Sequence, residues 1–274
     1  MGCLNPDGDE KIVWFVWLQG LEMAPEIVKI CHRSWVERCG WDVVVIDESN
    51  LEEFAAFDHG GVIARQSMNH RADLLRLDLL THRGGVWADA TCFCVSALDD
   101  WLPDLFQSGF FAYDRPGPDR PLCSWFVGST KRHPLMLMML EKMFPYWSSH
   151  AFRPHRRPER LMSRMLNQTP RTRALWFSWS VRECMRIAPY YAFHYGFEHL
   201  LRQNPLFAAA WAAVPKINPW DGPHGLFREG LHVPPPEDVR INIAERRVPL
   251  YKLTWKWGWP PTPGSSLDYL LKTL

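Results

Sequence analysis

The first third of the chain alternates between short apolar runs and mixed segments, in the order strand, helix, strand. Residues 11–18 form a near-continuous apolar run, as expected for a strand that is buried on both faces. Pro25 suits the first turn of the following helix, and Gly40 is a natural stop for a helix that ends near Cys39. Residues 41–46 then form the next β-rich run. This βαβ order predicts a parallel sheet whose ligands bind at the carboxyl ends of the strands.

A second helix is predicted over residues 67–83, because leucines form a packing stripe along this segment. Gly84 is well placed as its left-handed cap, and residues 86–88 then form a short strand. Asp89 follows at the exit of that strand. This helix–strand unit is therefore expected to end in an exposed carboxylate.

Three charged residues of this helix–strand unit form the most informative pattern in the sequence. Asp73 and Arg76 are three residues apart, so they share one face of the helix, and Asp89 is expected at the same end of the sheet. Taken singly, Asp89 can be a turn former, and Asp73 with Arg76 can be a structural ion pair. Taken together, they predict a site that holds a metal and a diphosphate.

The remaining chain predicts more of the same α/β architecture, in a single domain over residues 1–274. We expect a strand within 98–113, a strand or turn at 124–128, and a segment at 249–257 that alternates partly like a strand. Helices are expected at 134–147 and at 182–204, the latter interrupted at Pro189. Residues 215–236 are expected to form an ordered Pro/Gly-rich loop, and residues 148–173 a Pro/Arg/Ser-rich loop or lid insertion.

Composition and charge favour a globular protein over a disordered chain or a general nucleic-acid binder. Of 274 residues, 47% are hydrophobic and 22% are charged, and the formal net charge is only +1. Two basic stretches, 153–157 and 171–173, are interpreted as solvated loops, with a patch facing anionic lipid or an anionic acceptor as the alternative. The N-terminus lacks the features of a secretory signal, and no apolar run approaches the about 20 residues that span a bilayer. We therefore expect a cytoplasmic protein, with peripheral contact at the inner face of the plasma membrane as an option.

The cysteines and several missing motifs narrow the function further. The chain has 7 cysteines, an odd number at scattered spacings without Cys-x-x-Cys, which predicts reduced thiols. Cys92 and Cys94 would share one side of a strand, but a zinc half-site there lacks a second pair. Neither Gly-x-Gly-x-x-Gly nor Gly-x-x-x-x-Gly-Lys-Ser/Thr follows the first strand, so a dinucleotide dehydrogenase or a P-loop enzyme is disfavoured.

Cleavage of a sugar–diphosphate bond is the chemistry that best fits the acidic and basic residues. Negative charge that develops on the leaving phosphates can be stabilised by a divalent cation or by Lys and Arg side chains. Lys252 and Lys256 are candidates for this role, and Arg76 is an alternative contact to phosphate or a sugar hydroxyl. Of the 15 tryptophans, Trp14 or Trp17 near the end of the first strand and Trp125 are the candidates for stacking on a base or sugar.

With these pieces in order, the chain resembles the capsular polysaccharide synthesis family of bacterial glycosyltransferases. More distantly, it is similar to sugar-transferases with an Asp-x-Asp motif, including the initiating mannosyltransferase and glucosylating-toxin types. The matching segments span nearly the whole chain and are residues 11–20, 72–76, 84–91, 124–126, 193–195, 221–224 and 252–256.

The resemblance implies a GT-A-like fold, in which a mostly parallel sheet flanked by helices carries a nucleotide-sugar site. It implies that Trp17 and Gln19 contact the nucleotide and that Asp73 and Arg76 hold the donor sugar and its phosphate. Asp89 would be the first position of the Asp-x-Asp motif, in contact with ribose and metal. The other substrate contacts that we expect are Trp14, Arg71, Trp125 and Asp221, with Lys252 and Lys256 on the diphosphate.

One position departs from the family pattern. The second acidic position of the motif is Thr91, whose neutral hydroxyl is a weaker ligand for Mg²⁺ or Mn²⁺ than a carboxylate. The resemblance implies that Asp89, Thr91 and His224, with help from Asp221 or water, hold the metal. Metal dependence is therefore the part of this expectation that most needs a test.

These patterns predict a glycosyltransferase that moves a sugar from a nucleotide donor, with UDP as the expected nucleotide, to a hydroxyl acceptor in a surface polysaccharide or a small molecule. Retention at the anomeric carbon is implied by the resemblance alone. The alternatives are a nucleotide-sugar or carbohydrate-binding protein without turnover, and a phosphosugar transferase.

Overall fold

A five-stranded sheet in the strand order β2-β1-β3-β6-β5 forms the centre of the computed structural model, which describes residues 11–153, 157–256 and 258–274. Strands β1, β2 and β3 pair in parallel, and β6 runs antiparallel to both β3 and β5. A second sheet pairs β4 with β7. The strands are β1 (Ile12–Val16), β2 (Asp42–Ile46), β3 (Gly85–Asp89), β4 (Cys92–Cys94), β5 (Phe110–Gly117), β6 (Arg120–Ser129) and β7 (Leu250–Lys252).

Helices cover both faces of the central sheet. They are α1 (Glu26–Arg38), α2 (Leu51–Phe54), α3 (Met68–His82), α4 (Leu102–Leu105), α5 (Pro134–Ser148), α6 (Arg157–Leu166), α7 (Pro170–Arg173), α8 (Ala192–Gln203), α9 (Pro205–Ala212), α10 (Gly225–Glu229), α11 (Glu237–Ala244) and α12 (Ser266–Leu271). Short 3₁₀ turns lie at Leu21–Met23, Ile63–Arg65, Leu98–Asp100, Ala174–Phe177 and Pro219–Asp221, and a π-helix lies at Ser180–Met185.

The alternation of side chains along β1 divides the core into two layers. Val13 and Phe15 pack in one hydrophobic cluster with the buried face of α1, and Trp14 and Val16 pack in the other with α3 and α5. Successive residues of a strand point to opposite faces, so a nearly all-apolar strand fills both layers. The prediction of an α/β fold with a mostly parallel sheet is therefore confirmed.

The helix that carries the charged pattern forms where the sequence places it. The Ser67 side chain caps α3 by accepting a hydrogen bond from the His70 backbone N–H. Gly84 at φ 71° and Gly85 at φ 89° follow the helix. A Cβ atom at Gly85 would lie 2.7 Å from the Ile12 carbonyl oxygen, so only glycine lets β3 approach β1 this closely.

Three expectations need correction. The segment 148–173, expected as a loop or lid, contains α6 and α7; its residues 154–156 lie outside the described residues. The strand expected over 249–257 is limited to β7, because the chain turns away from β4 after Lys252. The segment 215–236 contains a 3₁₀ turn and α10 as well as loop. Pattern alone misses such short helices because they make few periodic contacts.

None of the helices in the described parts of the chain is both long enough and apolar enough to cross a membrane. The N-terminal residues that bear on a targeting signal lie outside the described residues. Of the basic stretches, Arg173 is buried and forms a bidentate ion pair with Glu198, with both N–O distances at 2.7 Å. This arginine is therefore not available to anionic lipid.

Candidate functional site

The carboxyl ends of the three parallel strands meet at one edge of the sheet. Val16 at the end of β1 is paired with Ile46 of β2 on one side and with Asp89 of β3 on the other. This edge is where ligands of open α/β sheets bind, as the βαβ pattern predicts.

Arg76 links the two carboxylates that the sequence predicts at this edge. Its Nη1 lies 2.9 Å from Asp73 Oδ1, and its Nη2 lies 3.2 Å from Asp89 Oδ1. The guanidinium also lies 4.6 Å from the centre of the Trp87 ring and 5.2 Å from that of Phe193. Two acids and two aromatic rings thus fix its position, and we name Asp73, Arg76 and Asp89 the acidic cluster.

The two acids of this cluster differ in exposure. The Asp89 side chain is 32% exposed and the Asp73 side chain 16%, whereas Arg76 is only 4% exposed. Burial raises the pKa of Asp73 to about 6; Arg76 opposes this shift and the Asp89 carboxylate adds to it. Asp89 is therefore the more accessible acid, and Asp73 is an acid whose charge depends on pH near neutrality.

The second sheet places Lys252 beside the acidic cluster. β4 and β7 are antiparallel with Cys92 opposite Lys252, and the Leu253 N–H donates to the Thr91 carbonyl at 2.7 Å. The Lys252 ammonium donates a short hydrogen bond to Thr91 Oγ1 and lies 3.6 Å from Asp89 Oδ2. The structure therefore brings together residues that are about 160 positions apart in the chain.

Aromatic residues continue this edge beyond β1. Trp17 is half-buried, and its ring lies 6.5 Å from that of Trp255 in an edge-to-face arrangement. Trp255 and Gln19 are exposed. Contact of Trp17 and Gln19 with a nucleotide stays a prediction, and Trp255 adds a second exposed ring to this surface.

A further group of rings lies next to Lys252. The backbone N–H of Lys252 donates to the Pro223 carbonyl at 3.0 Å, and His224 follows Pro223 in the chain. His224 is buried between Trp125 and Trp220, with ring centres 5.2 and 4.9 Å away. Burial, together with the positive charges of Lys252 and Arg120, lowers the pKa of His224 to about 4. Its Nδ1 and the Trp125 Nε1 have no hydrogen-bond partner, whereas Asp221 is exposed on the adjoining turn. Roles for these residues in substrate or metal binding stay predictions.

Two of the expected substrate contacts are engaged away from this edge, and a third lies beside Trp255. Trp14 is buried in the core, and its indole N–H donates to the Gly84 carbonyl at 2.8 Å, so it offers no face to a ligand. The Arg71 guanidinium is occupied by both oxygens of Glu48, at 2.5 and 2.9 Å. Lys256 lies past the end of β7, exposed, with its ammonium 5.7 Å from the Trp255 ring centre.

Two contacts to the acidic cluster are not among the sequence-based predictions. The Trp87 indole N–H donates to Asp89 Oδ1 at 2.9 Å, and Phe193 covers Arg76 from the start of α8. The first has a sequence signal, because Trp87 and Asp89 are two apart on a strand and share a side. The segment 193–195 is among those that carry the family resemblance, but about 117 residues separate Phe193 from Arg76, so the contact between them has no signal in the sequence.

A polar cavity of about 760 Å³ lies at the other end of α8, and it is separate from the acidic cluster. Asp119, Arg120 and Arg173 are among its lining residues, and Glu198 and Arg202 of α8 also line it. At the start of the same helix His194 is buried with its Nε2 3.4 Å from Ser124 Oγ. Helix α8 thus contacts both the acidic cluster and this cavity.

Comparisons with known proteins identify a family and several similar glycosyltransferases. The family described as capsular polysaccharide synthesis protein matches residues 4–155. An O-glycosyltransferase of Annulohypoxylon truncatum is 26% identical over 165 residues, which are 52% of this chain and 39% of that protein. An O-glycosyltransferase of Phomopsis amygdali is 30% identical over 146 residues, or 46% of this chain and 36% of that one. A probable glycosyltransferase of Fusarium pseudograminearum is 26% identical over 146 residues, or 47% and 37%.

The chain spans about two fifths of the length of these curated relatives. The relatives are fungal, which does not fit the bacterial origin that the sequence resemblance implies. Among solved structures, the glycosyltransferase PaToxG aligns over 74% of this chain and 73% of its own at 12% identity, with a TM-score of 0.41. That likeness is too distant to support an argument.

Proposed function

Because this chain belongs to the family of capsular polysaccharide synthesis proteins, we propose that it is a glycosyltransferase that uses a nucleotide-sugar donor. A hydroxyl group of a glycan or a small molecule would be the acceptor, and a UDP-sugar would be the donor. The observation that carries the proposal is the acidic cluster at the carboxyl edge of the sheet, with Lys252 beside it. The GT-A-like character of the domain belongs to the same proposal.

In this proposal, each part of the edge contacts one part of the donor. Lys252 and Arg76 supply positive charge for the diphosphate, on which negative charge grows as it leaves. Asp73 and Asp89 offer carboxylate oxygens to sugar and ribose hydroxyls, and Asp89 is the more exposed of the two. Trp17 and Trp255 provide ring surfaces for the base at the end of β1.

In the transfer itself, the bond between the anomeric carbon and the diphosphate oxygen breaks, and the acceptor oxygen bonds to that carbon. The acceptor proton passes to the leaving diphosphate. Exclusion of water matters for this step, because water competes with the acceptor hydroxyl. Phe193 and Trp87, which cover Arg76, keep one side of the reacting centre dry.

Incubation of the chain with a panel of nucleotide-sugars tests this proposal through the identity of the nucleotide product. Transfer or donor hydrolysis releases a nucleoside diphosphate. Release of a nucleoside monophosphate would instead indicate phosphosugar transfer, and saturable donor binding with no nucleotide product would indicate a binding protein. The anomeric configuration of the product, read by proton NMR, tests the retention that the resemblance implies.

A further inference from the structure

The Lys252 ammonium occupies the place where the sequence predicts a divalent metal, between Asp89 and the second motif position Thr91. We propose that Lys252 takes over the work of that metal, so that sugar transfer by this chain requires no divalent cation. This inference rests on the proposed function and specifies the chemistry of its phosphate site.

The backbone holds Lys252 in this place from both sides. Its own N–H donates to the Pro223 carbonyl at 3.0 Å, and the next N–H, that of Leu253, donates to the Thr91 carbonyl at 2.7 Å. The β4–β7 pairing fixes the register between them, with Cys92 opposite Lys252. The ammonium therefore reaches Thr91 from an anchored strand and not from a mobile surface position.

One oxygen of Asp89 is already engaged by two donors, and the other faces a cation. Oδ1 accepts from Arg76 Nη2 at 3.2 Å and from the Trp87 indole N–H at 2.9 Å, while Oδ2 faces the Lys252 ammonium at 3.6 Å. A divalent cation on Asp89 would have to lie against two fixed positive charges, which repel it. These contacts therefore suit Asp89 to orienting the side chains of Arg76 and Lys252, and not to binding a metal ion.

The remaining ligands for a metal are poor. Mg²⁺ and Mn²⁺ prefer several hard oxygen ligands, whereas Thr91 offers a neutral hydroxyl that Lys252 already uses as an acceptor. His224 is enclosed by rings, and Asp221 is exposed on its turn. Within the described parts of the chain, no group of three or more His, Cys, Asp or Glu side chains could hold a metal ion.

Before a donor binds, the four charged side chains of the site balance one another without a metal ion. Asp73 and Asp89 carry two negative charges, and Arg76 and Lys252 carry two positive ones. The Lys252 side chain is 18% exposed, more than Arg76, so it is the cation that an incoming diphosphate meets first. An ammonium is a compact charge with three donors, so it can bind phosphate oxygens in several orientations. The planar, forked guanidinium of arginine requires a more defined orientation of the phosphate.

Two measurements on the full chain test this inference directly. Mn²⁺ added with the chain and a nucleoside diphosphate should give the same electron paramagnetic resonance signal as Mn²⁺ with the diphosphate alone, because a metal in such sites is held partly by the phosphates. Nucleoside diphosphate release should be equal in excess EDTA and in Mn²⁺. Tight Mn²⁺ binding, or loss of turnover in EDTA that Mn²⁺ restores, would overturn it.

Substitution of Lys252 is the second test of this inference. Lys252→Met should lower turnover by about 10²–10³-fold, the usual cost of removing one charge-stabilising group, whereas Lys252→Arg should retain more of it. Lys272→Met, which removes an exposed lysine paired with Asp268 on α12, is the matched control. The double variant Thr91→Asp/Lys252→Met creates an Asp-x-Asp site without the ammonium, so it should gain Mn²⁺ binding in the same resonance assay. Unchanged donor affinity and turnover in folded Lys252→Met would contradict the inference.

Failure of this inference and failure of the proposed function have different signatures. A chain that turns over donors but binds Mn²⁺ tightly loses the inference and keeps the function. A chain that releases no nucleotide from any donor, with or without Mn²⁺, loses the function, and the Mn²⁺ resonance still decides whether Lys252 excludes the metal.

Discussion

Helix α3 carries two acidic groups that look alike in sequence and differ in structure. The first is the acidic cluster, which joins Asp73 and Arg76 of this helix to Asp89 at the end of β3. The second group is centred on Asp78, whose carboxylate is fully buried. Its oxygens accept from the backbone N–H groups of Ala56 and Phe57 and lie 2.9 Å from His59 Nε2 and 2.8 Å from His82 Nδ1.

The difference is whether any bonding capacity is left for a ligand. Donors surround Asp78 on all sides, so its oxygens are used within the fold. In the acidic cluster, Asp89 keeps an exposed face, and Arg76 Nε is buried without a hydrogen-bond partner. A fully satisfied buried acid stabilises its surroundings, whereas an incompletely satisfied one at a strand end is ready to bind.

Substitution of Asp78 should have the largest effect on stability. Asp78→Ala leaves two backbone N–H groups and two histidine rings without their acceptor, so we expect a loss of about 3–5 kcal/mol in the free energy of unfolding. Chemical denaturation measures it. A loss below about 1 kcal/mol would show that the hydrogen bonds of Asp78 do not stabilise the fold.

Substitution of Arg76 should affect turnover more than an ordinary charge-conserving change. Arg76→Lys keeps the positive charge but loses the fork that joins Asp73 and Asp89, so we expect turnover to fall by about 10²-fold. Steady-state kinetics measure it, with Arg83→Lys at the other end of α3 as the matched control. Equal losses in the two variants would contradict the special role of Arg76.

Acidification should weaken donor binding through Asp73. Because its pKa is about 6, the carboxylate is protonated below that pH, and affinity should fall by about tenfold per pH unit. In Asp73→Asn this slope should disappear. Stability should move the other way: the folded state binds the proton more readily than the unfolded chain, so this group's contribution falls as pH rises from 3.8 to about 6. A wild-type affinity that is flat between pH 5 and pH 7 would refute the assignment.

Removal of the ring above Arg76 should have the smallest effect. Phe193→Leu keeps the apolar packing but loses a cation–π contact worth about 1 kcal/mol, which corresponds to roughly a fivefold loss of turnover. Phe197→Leu, one turn further along α8, controls for loss of aromatic volume. If both variants behave alike, the contact between Phe193 and Arg76 has no role of its own.

The sequence predicts helix α3 and the strand after it well, because the signals that define them are local. Ser67, Gly84 and the leucine pattern define α3, and strand order then brings Asp73, Arg76 and Asp89 together. The sequence predicts Lys252 only as a contact to the diphosphate and does not predict its pairing with Thr91, since the β4–β7 register depends on tertiary packing.

Trp14 and Arg71 are engaged within the fold for physical reasons of the same kind. Trp14 lies near a strand end in sequence, but its indole N–H finds a buried carbonyl and its ring fills the core. Arg71 has the charge of a ligand contact, yet Glu48 neutralises it from across the sheet edge. A partner that is distant in the chain decides whether a charged side chain binds a ligand or another side chain.

The most direct test of the account is the rate of nucleoside diphosphate release by wild type and by Asp89→Asn, compared at a temperature where both are folded. Asn retains the size of the side chain but removes the charge that orients Arg76 and Lys252. We predict a rate at least about 10²-fold lower for the variant, with a Tm close to that of the wild type. Equal rates for the two proteins would contradict the assignment of the acidic cluster as the donor site.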